Sequence, residues 1–116
     1  MNKEELSEDF AVKILNIEKI LRIERSEKIA SYQVAKSGTS IGANIAEAVF
    51  AESDQDYVHK LAIAQKECNE TLYWLRVLNR THYITKEEFD DLYPQAESLM
   101  KIITSIIVKI KKNNIF

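Results

Sequence analysis

Few side chains in this sequence have the type and spacing to do chemistry. Arg76 and His82 stand six positions apart, with Arg80 between them. Such a histidine could act as general acid or base while the arginine stabilises charge on a phosphorane. Cations gathered at a helix C-terminus, where the dipole is negative, would give the same pattern. Asp56-x-x-His59 is half of a carboxylate-bridged di-iron pattern, which also needs a second Glu-x-x-His and two further glutamates; no second motif occurs. Cys68, the single cysteine, falls among Ala64, Thr71 and Leu75 on an apolar stripe and reads as a small hydrophobe. We therefore assign no catalytic, cofactor-binding or metal-binding residue, and we expect no enzyme activity.

The elements that carry these residues read as helices throughout. A chain of 116 residues, 46% hydrophobic and 29% charged, suits one compact domain, residues 1–116. Two glycines and one proline are too few for an all-β protein. One cysteine permits no internal disulfide, which fits a reducing compartment. No apolar run approaches the ~20 residues of a membrane span, and the N-terminus is unlike a signal peptide. The expectation is a cytoplasmic protein without a membrane partner.

Hydrophobic spacing places helices at about 7–25, 27–51, 54–80 and 86–112. Ser7 is the expected N-cap of the first, whose stripe is Phe10, Ile14, Ile17 and Leu21. Ser53 caps the third, with Tyr57, Leu61, Ala64, Cys68, Thr71, Leu75 and Leu78 inward. Thr85 with Glu88 is a capping box for the fourth, whose seam is Phe89, Leu92, Ala96, Leu99, Ile103, Ile106 and Ile110. Pro94 cannot donate to the Asp90 carbonyl, so a kink or restart near Tyr93 is expected. The fold class is all-α, most simply an up-down-up-down antiparallel four-helix bundle.

The second helix has unusual surfaces. Both glycines of the chain, Gly38 and Gly42, fall inside it and form a small-residue row with Ala35 and Ala46, suited to close packing of a neighbouring helix. Val34, Ile41, Ile45 and Ala48 mark one apolar face, while Tyr32, Thr39, Ala43, Ala46 and Phe50 on the opposite side are also apolar or small. Polar groups are confined to a stripe of Gln33, Lys36, Ser40, Asn44 and Glu47. That stripe could bond across an interface between copies, line a shared pore, or be ordinary wet surface. The fourth helix adds Met100, Ile102, Ile107 and Val108 outside its seam, with Ile115 and Phe116 beyond it. A monomeric bundle needs only about three apolar positions in seven, so the excess predicts self-association.

Net charge is −2, which announces no nucleic-acid binder. The charge is nonetheless arranged: acids open the fourth helix, and Lys109, Lys111 and Lys112 close it. That order complements the helix dipole; gathered in several copies, the lysines could also contact phosphates.

The run Ser37-Gly38-Thr39-Ser40-Ile41-Gly42-Ala43-Asn44-Ile45-Ala46-Glu47-Ala48 resembles the signature of the 23S rRNA intervening-sequence proteins. The likeness continues through Asp56–Ala64, Leu72–Leu78 and Thr104–Ile107. It implies a left-handed four-helix bundle assembled as a ring-shaped homopentamer, and no established catalytic residues. The sequence is more distantly similar to the accessory protein of diversity-generating retroelements, which implies RNA, DNA or a nucleic-acid enzyme as partner. Those accessory proteins are basic and this chain is not. The Arg76 and His82 pair also resembles, weakly, the active-site motif of the HEPN ribonucleases, which would make the protein an RNA-cleaving enzyme. Relatives often carry glycine where His82 stands.

Overall fold

Four helices make up most of residues 1–113, which the computed structural model describes; Ile115 and Phe116 lie outside the described residues. They are α1 (Lys3–Lys19), α2 (Ala30–Ala48), α3 (Asp54–Arg80) and α4 (Lys86–Asn113), with a π-helical turn, Ile20–Glu24, continuing α1. Every sequential pair is antiparallel. Ser7 and Ile14 of α1 meet Gly42 and Gly38 of α2. Ser37 of α2 lies 2.9 Å from Thr71 of α3. Gln65 and Arg76 of α3 bond Thr104 and Tyr93 of α4. Arg25 and Lys13 return to Glu88 and Asp91 of α4. The fold is the expected up-down-up-down bundle, its α1–α4 seam the thinnest.

The expected stripes of α1, α2 and α3 are buried, except that Tyr57 is half-exposed. On α4 the seam drifts: Ile107 is buried, while Ile106 is only partly so. A 3.6-residue helix rotates relative to a strict alternation of three and four, which brings residue 107 inward over the final turns.

The helix ends depart from the sequence reading in four places. α1 begins at Lys3, because Asn2 caps it by accepting from the Glu5 N–H at 2.8 Å. Ser7 is not the cap; its buried hydroxyl donates to the Glu4 carbonyl at 3.0 Å. α2 begins at Ala30 rather than Glu27, since Ser26 takes a left-handed φ of 55° and the Glu27 N–H returns to the Leu21 carbonyl. It ends at Ala48, not Ala51, in i→i−3 turns from Val49 to Ala51. No restart occurs near Tyr93, because α4 runs unbroken through Pro94. Asp90 and Pro94 are both exposed, so water can satisfy the carbonyl that proline leaves unpaired. The caps at Ser53 and Thr85 form as read, with Asp56 N–H on Ser53 Oγ at 3.0 Å and Glu88 N–H on Thr85 Oγ1 at 3.1 Å.

The two glycines set how closely α1 approaches α2. A Cβ on Gly38 would stand 3.0 Å from both γ-carbons of Ile14; one on Gly42 would stand 3.2 Å from Ser7 Oγ. Ile14 is fully buried and has no room to give. Overpacking of this kind costs about 1–3 kcal/mol, against the ~1 kcal/mol that alanine gains over glycine in a helix. Gly38→Ala should therefore lower stability by about 1 kcal/mol in urea unfolding, although the same change raises helix propensity.

A second tie closes the other end. Arg25 donates to both Glu88 carboxylate oxygens, at 2.7 and 2.9 Å, and to the Tyr83 carbonyl at 2.8 Å. Glu88 also accepts from the Thr85 N–H at 2.7 Å, so one carboxylate serves as cap and ion-pair partner. The Arg25 hydrogen bond holds the Glu88 carboxyl below its ordinary range, with partial burial opposing and Thr85 assisting. A carboxyl with a lowered folded-state pKa stabilises the fold above its unfolded value, and that stability disappears as pH falls through the folded value. Glu88→Gln should cost about 1 kcal/mol at neutral pH. The gap between the melting temperatures of variant and wild type should close as pH drops below about 4.

Candidate functional site

Exposed apolar side chains occur on all four helices, Tyr73 on α3 and Val108 on α4 among them. Val12 and Leu15 project from α1, Tyr32 from the start of α2 and Phe50 from the turn after it, with Tyr32 61% and Phe50 87% exposed. Between the two helices runs a groove of about 340 Å³ lined by Glu4, Glu8 and Ala11 on one wall and Thr39, Ala43 and Ala46 on the other, with Ser7 and Gly42 contributing between them. The groove exists because the wall residues of α2 are small. Of the small-residue row, Gly38 and Gly42 face α1, Ala35 packs partly against the core, and Ala46 is exposed on the groove wall.

The polar stripe follows the α2–α3 seam over part of its length. Lys36 and the Ser40 hydroxyl lie beside Glu67 of α3, whose carboxyl is nonetheless pushed up by burial and by neighbouring Glu70. Ser40 donates to the Lys36 carbonyl at 2.6 Å, and Asn44 to the Ser40 carbonyl at 2.8 Å. Gln33 and Asn44 are half-buried and Glu47 is exposed. Lys109 and Lys112 share an open face of α4 with Lys101, Thr104, Ser105 and Val108; Lys111 lies outside it. The α1 wall of the groove escaped the sequence reading, although Glu4, Glu8, Ala11 and Leu15 share one helical flank at spacings of four, three and four.

The chemistry-bearing residues are not assembled into one site. Arg76 donates to the Tyr93 hydroxyl at 2.9 Å, and Tyr93 stacks on Phe89 at 4.8 Å. His82 sits just past the end of α3 with a left-handed φ of 62°. Its N–H bonds the Asn79 carbonyl at 3.1 Å and the Tyr83 N–H bonds that of Leu78 at 3.0 Å, the paired bonds of a Schellman terminus. Among the described residues no hydrogen bond joins Arg76 to His82. Burial pushes the Cys68 thiol up to about 12, with the Glu67 charge adding to it, so the reactive thiolate is suppressed. Asp56 accepts from the Glu52 N–H at 3.2 Å, while His59 is exposed. Among the described residues no three His, Cys, Asp or Glu side chains are placed to hold a metal ion, and no helix is long and apolar enough to cross a membrane.

The model of the 23S rRNA-intervening sequence proteins matches residues 4–105, a span that includes both walls of the groove. The chain belongs to that family. A crystal structure from Bacteroides thetaiotaomicron VPI-5482, of a protein with unknown function from the S23 ribosomal protein family, shares 46% sequence identity and superposes with a TM-score of 0.90. The match covers 91% of this chain and 98% of that one. No curated protein matches this chain. Lys109, Lys111 and Lys112 fall beyond the span matched by the family, whereas the glycines, the polar stripe and the Schellman turn fall within it.

The left-handed backbone at His82 carries a direct consequence. A residue with a Cβ is disfavoured there by about 1 kcal/mol, and glycine is not. His82→Gly should raise the melting temperature by about 3–5 °C, a gain that a general acid/base role would not foresee.

Proposed function

We propose that the protein is a non-enzymatic helical scaffold or accessory factor that works as an assembly of its own copies, docked through the α1–α2 face. The observation that carries this reading is the groove walled by Ala11, Ala43 and Ala46, with exposed Leu15 and Phe50 four residues beyond Ala11 and Ala46. Leaving Tyr32, Phe50, Val12 and Leu15 in water forfeits roughly 1–2 kcal/mol per large side chain, which docking recovers. Burial of such a patch is the usual role of large exposed apolar areas on soluble proteins. The hydrogen bond of Arg76 to Tyr93 and the buried thiol of Cys68 support a non-enzymatic role. The resemblance to ring-forming relatives supports a closed pentamer, and the family name supports a nucleic-acid or ribonucleoprotein setting in a cytoplasmic compartment.

Sedimentation across a hundredfold concentration range should show one discrete species about five times the 13.4 kDa chain. Replacing Tyr32 and Phe50 together by glutamate should shift the equilibrium to monomer by about 3 kcal/mol or more of lost apolar burial, with helicity and melting unchanged in the monomer. A wild-type chain that stays monomeric at the highest concentration overturns the proposal.

A further inference from the structure

Two surfaces of this chain are opposite in charge, one a groove between helices and the other an open helix face, and what they suggest about the groove's occupant rests on the self-association proposed above. The groove is concave, and the charged residues that line it are Glu4 and Glu8, with no lysine or arginine among them. Glu4 is shared with Lys3 at 3.0 Å. Glu8 has no ion-pair partner among the described residues. The outer face of α4 is the reverse. Val108, 57% exposed, stands among Lys101, Lys109 and Lys112, with Thr104 and Ser105 beside them and no acid in the lining. None of those three lysines is paired among the described residues.

Spacing agrees with charge. Thr39, Ala43 and Ala46 keep the α2 wall low enough for another helix to approach closely. On α4, Lys101, Ser105, Val108 and Lys112 recur at four, three and four and form one narrow ridge about 16 Å long. A chain cannot fill its own groove, because α4 packs on α1 and α3 while α2 lies across the bundle from it. Two grooves facing each other would oppose Glu8 to Glu8 and leave a void between two hollows. A phosphate backbone is repelled by the same glutamates.

We infer that the groove of one copy receives the Lys101–Lys112 ridge of the next, Val108 seated against Ala43 and Ala46 and the lysines facing Glu8. Docking of this kind is heterologous: it leaves a free ridge on one copy and a free groove on the other, so it continues until a ring closes or a fibre grows.

Two substitutions at exposed positions test it by complementation. Ala43→Arg fills the groove with a bulky cation, and Val108→Asp breaks the ridge; circular dichroism should show both folded. Each alone should raise the concentration of half-assembly by about tenfold or more. Mixed in equal amounts, they should form a discrete heterodimer, because the intact ridge of the first fits the intact groove of the second. Raising sodium chloride to about 1 M should weaken that heterodimer. If Ala43→Arg is monomeric but Val108→Asp assembles as wild type, the groove docks a different surface; self-association then stands and this inference falls. A mixture that remains monomeric overturns it too. So does loss of a single-stranded RNA gel shift on changing Lys101, Lys109 and Lys112 to glutamate while assembly is untouched. A monomeric wild type removes both readings.

Discussion

The approach of α1 to α2 governs the rest of the molecule. Gly38 and Gly42 lack the side chains that would hold α1 away, so Ile14 and Ser7 come to rest against the α2 backbone. Each glycine gives up about 1 kcal/mol of helix propensity, and the return is the complete burial of Phe10, Ile14 and Leu21 against the remaining helices. Ser7 shows how tight the fit is. It is a polar residue in the core, and its hydroxyl is satisfied within its own helix by the Glu4 carbonyl. Among the described residues no buried side-chain nitrogen or oxygen lacks a hydrogen-bond partner, so this close packing leaves no orphaned polar group to offset it. The outer groove is the same constraint seen from the solvent side, because helices that approach over glycine leave only small residues along their shared rim.

Most of the fold was legible because hydrophobic spacing reports which residues face inward, and it did so for Phe10 to Leu21, Val34 to Ala48 and Leu61 to Leu78. Caps at Ser53 and Thr85 were legible for a different reason: a hydroxyl three residues ahead of an acid is a local signal that needs no tertiary partner. What escaped was set by tertiary or backbone effects. Asn2-x-x-Glu5 carries a capping signal as good as the one placed at Ser7, but the apolar stripe starts later and drew the helix start with it. The π turn and the left-handed Ser26 have no glycine to mark them. Glu8 and Ala11 look like ordinary surface until α2 is set beside them.

Ser26 and His82 make a pair worth setting side by side. Both are non-glycine residues with left-handed backbone, and both follow a helix arriving at the same end of the bundle. Arg25, next to Ser26, reaches the carbonyl of Tyr83, next to His82, and the carboxylate that caps α4. Strain at two turns is thus held in place by one guanidinium spanning the α1–α2 and α3–α4 connections. This is why a histidine near two arginines, which suggested acid/base chemistry on spacing alone, is better understood through its φ angle. The Schellman turn uses the His82 backbone and leaves its ring unassigned, and the turn ends α3 where Ile84 can bury and α4 can begin.

The outer face of α2 then has to be explained by exclusion from every internal duty. Val34, Ile41 and Ile45 already fill the core, Gly38 and Gly42 already seat α1, and Lys36 with Ser40 already faces Glu67 on α3. Among the described residues no neighbouring helix covers Tyr32, Phe50, Ala43 or Ala46, so no internal packing accounts for their being aromatic or small. A solvated helix flank built only for solubility would carry lysine and glutamate there, as α3 does at Lys66 and Glu70. Small residues at positions 39, 43 and 46 keep the spacing of four and three at which one helix contacts another, which is the physical ground for the docking proposed above.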